Sequence, residues 1–142
     1  MAVIDETTPF GKRAAERLRT ESVVWLTTIG SDGTPQPNPV WFLWDGADGV
    51  IVYNDVAANR MRHITERPRV SLNFNSAPGG DDIVVLRGRA SEAPDLPACS
   101  GNAEYQAKYG ASIKAGPFGG PEGFDRQFSN KLRIRIEGVR GW

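Results

Sequence analysis

The sequence predicts a small, mostly antiparallel β-barrel with a few short helices, a mainly β member of the α+β class. Three observations carry this. Short runs rich in β-branched and aromatic residues recur along the chain, bounded by turns of Asp, Gly, Asn and Pro. Helical periodicity is confined to brief stretches between them. The length, 142 residues, suits one domain over 1–142 that buries about two thirds of its unfolded surface.

Thr8-Pro9 reads as a helix start, with Thr as cap and Pro in the first turn. Phe10, Ala14 and Leu18 then recur at near-helical spacing, and Lys12, Arg13, Glu16, Arg17 and Arg19 face water. Val23 to Ile29 is a strand by composition, and Ser31-Asp32-Gly33-Thr34 is a hairpin turn. That turn delivers the chain into PQPNPVWFLWDGADGVIVYN, Pro35 to Asn54, where two extended runs flank the turn DGADG. A meander of three successive strands is expected. Pro35, Pro37 and Pro39 have no amide hydrogen for a sheet neighbour, so this segment belongs at an edge and offers a wall for a cofactor groove. Trp41 and Trp44 fall on opposite faces, one for the barrel interior and one for a cofactor or partner.

Beyond Tyr53 the period changes. Asn54 or Asp55 caps a helix with Ala58, Met61 and Ile64 or Thr65 on one face, ending before Pro68. His63 reads as an exposed residue of that helix. Val70 to Asn75 alternates strictly, with Val70, Leu72 and Phe74 inward. After the turn APGGDD comes a strand from Ile83 to Ala90, where Gly88 marks a bulge or a close approach. Pro94 to Gly110 holds a helix stopped by Gly110, and Ala115 to Gly123 reads as a surface loop. A polar helical turn near Phe124 to Phe128 precedes an amphipathic strand from Leu132 to Arg140. Six strands with one helix inserted after the third make the expected barrel.

Seventeen basic residues balance seventeen acidic ones, which gives no field drawing the chain to nucleic acid or an anionic membrane. One cysteine, Cys99, and one histidine rule out an internal disulfide and argue against a transition-metal site. No apolar run approaches the roughly 20 residues that span a bilayer. The N-terminus lacks the features of a signal peptide, so a cytoplasmic location is expected.

GxSxG, CxxC, HExxH and GxxxxGK[ST] are all absent. Cys99 has no nearby group to lower its pKa. A chain this poor in catalytic side chains points to a binding protein, or to an enzyme whose cofactor carries the reaction; no catalytic residue is assigned. The positive signal is Asn54, Asn59 and Arg60, placed where a strand gives way to a helix and where free amides favour an anion.

QPNPVWFLWDG, the VYN strand end, NRMRHI and ERPRVSLNF together resemble the flavin and deazaflavin oxidoreductases of the split β-barrel fold, relatives of pyridoxamine 5′-phosphate oxidase. The similarity is greatest to the short actinobacterial branch that uses the deazaflavin coenzyme F420, with FMN as the alternative cofactor. The resemblance implies a six-stranded split barrel and a homodimer with the cofactor groove at the subunit interface. It further implies that Gln36, Pro37, Asn38, Pro39, Val40 and Trp41 line the coenzyme ring. Tyr53 and Asn54 would meet the ribityl chain and phosphate, Asn59 and Arg60 would hold the phosphate, and Trp142 would reach the cofactor from the partner chain. Two departures bear on the activity. PNPVWF stands where the true oxidases carry a basic FMN-binding strand motif, and their C-terminal arginine motif is absent. The implied activity is therefore hydride transfer from reduced F420 to an activated double bond of a small organic molecule. A non-catalytic flavin, F420 or haem binder is the competing class.

Overall fold

The computed structural model describes residues 2–142. Its strands are β1 (Val24–Ile29), β2 (Pro35–Val40), β3 (Leu43–Trp44), β4 (Gly49–Asn54), β5 (Arg69–Asn73), β6 (Val84–Glu92) and β7 (Asn130–Gly141). The helices are α1 (Pro9–Thr20), α2 (Arg60–Glu66), α3 (Ala103–Ala115) and α4 (Gly120–Gln127). All seven strands belong to one antiparallel sheet in the order β2–β1–β5–β6–β7–β4–β3.

The strand count is seven rather than six because the central stretch is divided. Pro35–Val40 pairs with β1, whereas Leu43–Trp44 pairs with β4. β2 and β3 thus occupy opposite edges of the sheet, yet only Trp41 and Phe42 separate them. Three Cα steps reach at most about 11 Å. The sheet must therefore curl until its two edges meet at this dipeptide, which makes it a split barrel. The expected three-strand meander is corrected accordingly: the first hairpin forms, and the next strand joins the far edge.

β2 lies at an edge, as its prolines require. At the head of its hairpin Gly30 N donates to Thr34 O, 3.0 Å. Alternation from that pair puts the ladder bonds on Gln36, Asn38 and Val40 and turns the prolines toward the free edge. That edge therefore presents carbonyl oxygens and no N–H donors from positions 35, 37 and 39.

Two apolar clusters result. Inside the barrel lie Val24 and Leu26 of β1, Phe42, Trp44, Val50 and Val52, the alternating Val70, Leu72 and Phe74, and Leu132, Ile134 and Ile136. α1 closes one end with Ala14, Ala15 and Leu18, capped by Thr8 Oγ1, which accepts from Gly11 N at 3.0 Å. On the outer face of β4, Tyr53 packs with Cys99, Tyr105, Tyr109, Ile113 and Phe124, beneath α3 and α4. β4 is buried on both faces, which explains its continuous apolar run. Gly88 does mark a bulge: the β6–β7 register shifts between Arg87 and Gly88, and a Cβ there would lie 2.3 Å from Arg135 O.

Three helix boundaries differ from expectation. Gly110 does not stop α3, which runs to Ala115 and ends at Gly116-Pro117, where a proline cannot continue it. The cap of α2 is Asn59 rather than Asn54 or Asp55, since the chain first makes a turn in which Ala57 N bonds Asp55 Oδ1. The segment read as a surface loop from Ala115 to Gly123 buries part of Phe118 and contains the start of α4. Among the described residues no helix is long and apolar enough to cross a membrane.

Candidate functional site

The crossover Trp41-Phe42 is held by α3. Tyr109 Oη accepts from Phe42 N at 2.9 Å and lies 2.7 Å from Ser22 O and 3.0 Å from Phe42 O. Lys108 Nζ donates to the same Phe42 carbonyl at 2.8 Å and sits 3.7 Å from the Phe42 ring centroid. Burial pushes the Tyr109 phenol up to about 12 and the Lys108 ammonium down to about 8. Trp41 is directed away from the barrel and stacks on Tyr109 with ring centroids 4.6 Å apart and planes 4° apart. Trp44, on the other face, fills the barrel. One tryptophan of the pair is structural and the other borders a cavity.

That cavity, of about 250 Å³, is lined by Pro39, Val40 and Trp41 from the β2 end, Tyr53 from β4, and Asp55, Ala58 and Arg60. Its remaining wall is Tyr105, Phe118, Phe124 and Phe128 from the α3–α4 side. The rings brace one another: Phe124 and Phe128 stack at 4.4 Å, and Phe118 meets Phe124 edge-on at 5.0 Å. Such a surface suits a flat conjugated ring.

A second, polar recess of about 290 Å³ adjoins it, lined by Thr28, Gln36, Asn38, Ala57, Ala58, Asn59, Arg60 and His63. Ala58 and Arg60 border both. Arg60 Nη1 donates to Oδ1 of the fully buried Asn54 at 2.6 Å, which aims the guanidinium. Among the described residues Arg60 forms no salt bridge. Burial draws its pKa downward, with the Asp55 charge opposing. A partly desolvated cation with no carboxylate within salt-bridge distance is a receptor for an anion. His63 is buried rather than exposed: its Nδ1 lies 3.1 Å from Thr28 Oγ1, because α2 turns this face onto β1.

The sequence-predicted residues divide between these spaces. Pro39, Val40, Trp41, Tyr53 and Arg60 line the aromatic cavity, and Gln36, Asn38, Asn59 and Arg60 line the polar recess. Asn54 lines neither and acts behind Arg60. Pro37 and Trp142 line neither; Trp142 pairs its backbone with Ile83 and is 66% exposed. Sequence reasoning missed Tyr105, Phe118, Phe124 and Phe128. The four-residue spacings of Tyr105 with Tyr109 and of Phe124 with Phe128 were the available signal, hidden by the glycines and prolines between them.

Cys99 is buried, and its thiol is pushed up to about 12, chiefly by desolvation, so it is no nucleophile. Among the described residues no group of three or more His, Cys, Asp or Glu side chains is placed to hold a metal.

A split barrel with an aromatic cavity beside an anion-ready recess defines a class of small-molecule-binding folds. The chain belongs to the pyridoxamine 5′-phosphate oxidase family, whose model matches residues 10–142. No curated protein matches it. Among solved structures it is similar to an F420 reductase, at 23% identity over 88% of this chain and 94% of that one, with a TM-score of 0.65. It is also similar to a Clostridium acetobutylicum protein related to general stress protein 26, at 15% identity over 96% and 88%, with a TM-score of 0.69. A third is an FAD-binding protein from Mesorhizobium loti, at 21% identity over 90% of each chain, with a TM-score of 0.63.

Proposed function

We propose that the protein is an F420-dependent reductase that passes a hydride from the reduced deazaflavin to an activated double bond of a small organic molecule. The observation that carries this is Arg60, a guanidinium without a salt-bridge partner among the described residues, placed where an aromatic cavity meets a polar recess. The residues present fit the coenzyme. Arg60, with Asn59 beside it, would hold the phosphate; Gln36, Asn38, Pro39, Val40 and Trp41 would flank the ring; Tyr53 would border the linking chain. The free edge of β2 offers only acceptors at its prolines, which suits a ring bearing N–H groups. The coenzyme supplies the hydride when bound, and the chain contributes position and exclusion of water. F420 is preferred to FMN because β2 carries no basic residue and because an F420 reductase stands among the similar folds.

Two copies are expected to form the working unit, with the exposed Trp142 of one chain closing the groove of the other. Sedimentation measures the assembly, and Trp142→Ala tests the contact: weaker coenzyme binding by an intact dimer supports it, and unchanged binding removes Trp142 from the site. The function itself is tested by titrating the purified chain with F420 and with FMN, following tryptophan fluorescence, and then adding conjugated carbonyl acceptors to the reduced complex. Oxidation of bound F420 by an acceptor supports the reading. FMN binding with no response to F420 reverses the choice of coenzyme, and tight binding without turnover of any acceptor indicates a carrier.

A further inference from the structure

Thr28 is the polar end of an otherwise apolar face, for Val24, Leu26 and Thr28 alternate into the barrel along β1. The register sets Gln36 opposite Thr28 and Asn38 opposite Leu26, so these β2 side chains stand on the same face. At this end α2 packs across β1 and β6. Arg60 and His63, three positions apart, fall on one side of that helix. The polar recess lies between the two walls and is lined by all five residues. His63 is 8% exposed and Thr28 2%, and Thr28 Oγ1 lies 3.1 Å from His63 Nδ1. The Thr28 hydroxyl has no other partner among the described residues, so its proton goes to Nδ1 and the uncharged ring carries its own proton on Nε2. Nε2, at the far edge of the ring, is also without a partner among the described residues, yet it is not enclosed. It therefore opens to the recess that the ring lines. The fold leaves a directed N–H on the same recess as the Arg60 guanidinium.

We propose that His63 is a ligand-binding residue of the polar recess, its Nε2–H donating to one oxygen of a phosphate ester whose other free oxygen meets Arg60, and that Thr28 is the positioning residue that keeps the proton on Nε2. The proposal rests on the reading of this recess as the phosphate side of the coenzyme site. It adds to the one charge a second, uncharged donor on a ring that its burial and its bond to Thr28 hold still. Arg60 supplies the attraction, and the pair of donors fixes how the anion sits. A phosphate monoester or diester keeps at least two non-bridging oxygens and satisfies both groups. Chloride offers no such pair, and a site that bonds two oxygens discriminates against a ligand that lacks the second.

His63 is the chain's only histidine, so long-range proton–nitrogen correlation spectra of the untagged, isotope-labelled protein read its ring without ambiguity. The probes are inorganic phosphate and, at equal ionic strength, chloride, added at mildly alkaline pH. Three results are expected. The ring of the anion-free protein carries its proton on Nε2. Phosphate moves the Nε2 resonance along a saturating curve, and chloride does not. In Arg60→Met the same phosphate leaves Nε2 near its starting position. The double variant Thr28→Val, His63→Leu replaces the polar pair by an apolar one, and its phosphate dissociation constant, taken from thermal protection, should rise about three- to tenfold, the loss of one hydrogen bond. If that variant does not fold, the spectra decide alone. A proton on Nδ1 overturns the proposal. So does an Nε2 resonance that phosphate leaves in place, or a folded double variant with the parent's phosphate affinity. A phosphate response at His63 in a chain that ignores F420 would refute the reductase reading and keep this one; F420 binding with Nε2 unmoved would do the reverse.

Discussion

Replacing Tyr109 by Phe tests whether the crossover is as tightly specified as its hydrogen bonds indicate. The stack on Trp41, 4.6 Å between centroids, survives the change because the ring stays. The Phe42 carbonyl keeps its bond from Lys108 Nζ, and Ser22 is exposed, so water can replace the phenol there. What is lost without replacement is the acceptor for Phe42 N, at a residue with no exposed surface. A buried N–H stripped of its acceptor costs about 1–3 kcal/mol. We take about 2 kcal/mol; with an unfolding entropy of about 0.3 kcal/mol/K for a chain this long, the midpoint falls by about 7 °C. Thermal and urea unfolding of the parent, Tyr109→Phe and Tyr53→Phe form the assay. Tyr53 loses bonds at a less buried hydroxyl and should lose less than half as much. A Tyr109→Phe protein melting within about 2 °C of the parent, well short of the expected shift, would refute the reasoning, since the crossover amide would then have another partner.

Three further outcomes are expected. Gly88→Ala places a methyl 2.3 Å from Arg135 O at the bulge, and the forced shift of two paired strands should cost about 2–3 kcal/mol, read as a lower urea midpoint at unchanged slope. Lys108 titrates at about 8 in the folded chain against an ordinary 10.5. Between those values the unfolded state holds more protons, so stability rises with pH across that window; Lys108→Met should lack the rise, which denaturation curves at pH 7.5 and 9.5 would reveal. Asn54→Leu removes the acceptor that aims Arg60, so phosphate should protect the variant less against heat than the parent, and equal protection would separate Asn54 from the anion site.

Much of the architecture was legible because local rules and the global fold agree. Strict alternation at Val70, Leu72 and Phe74 identified an inward face, alternating prolines identified an edge, and Gly88 identified a bulge. The failures share one cause, a dependence on contacts distant in sequence. VWFLW reads as one strand, and only the geometry of closure shows that Val40 serves one edge of the sheet and Leu43-Trp44 the other. His63 sits among arginines and reads as solvated, yet Thr28, 35 positions earlier, gives it a buried partner. The connection from α3 into α4, Ala115 to Gly123, was read as loop because Gly116, Pro117, Gly119 and Gly120 dominate its composition. Gly119 and Gly120 adopt φ of 75° and 73°, a region that favours glycine, and so let the chain turn back and place Phe118 against Phe124. At the site, the polar half was visible in two places: Gln36 and Asn38 between the prolines of an edge strand, and Asn59 and Arg60 at a strand-to-helix junction. The aromatic half was not, since nothing local tells a cavity-lining ring from a core ring.

The central claim is that Arg60 receives the phosphate of a redox coenzyme. Calorimetric titration of F420 into the parent and into Arg60→Met tests it most directly. The account predicts that the variant, which keeps the apolar stem and loses the charge, folds but is less stable by about 1–3 kcal/mol because the buried Asn54 Oδ1 loses its donor, and binds at least about tenfold more weakly, as loss of a charge-assisted bond worth about 1.5–3 kcal/mol requires. Equal affinity for the two proteins would contradict it and place the anion elsewhere.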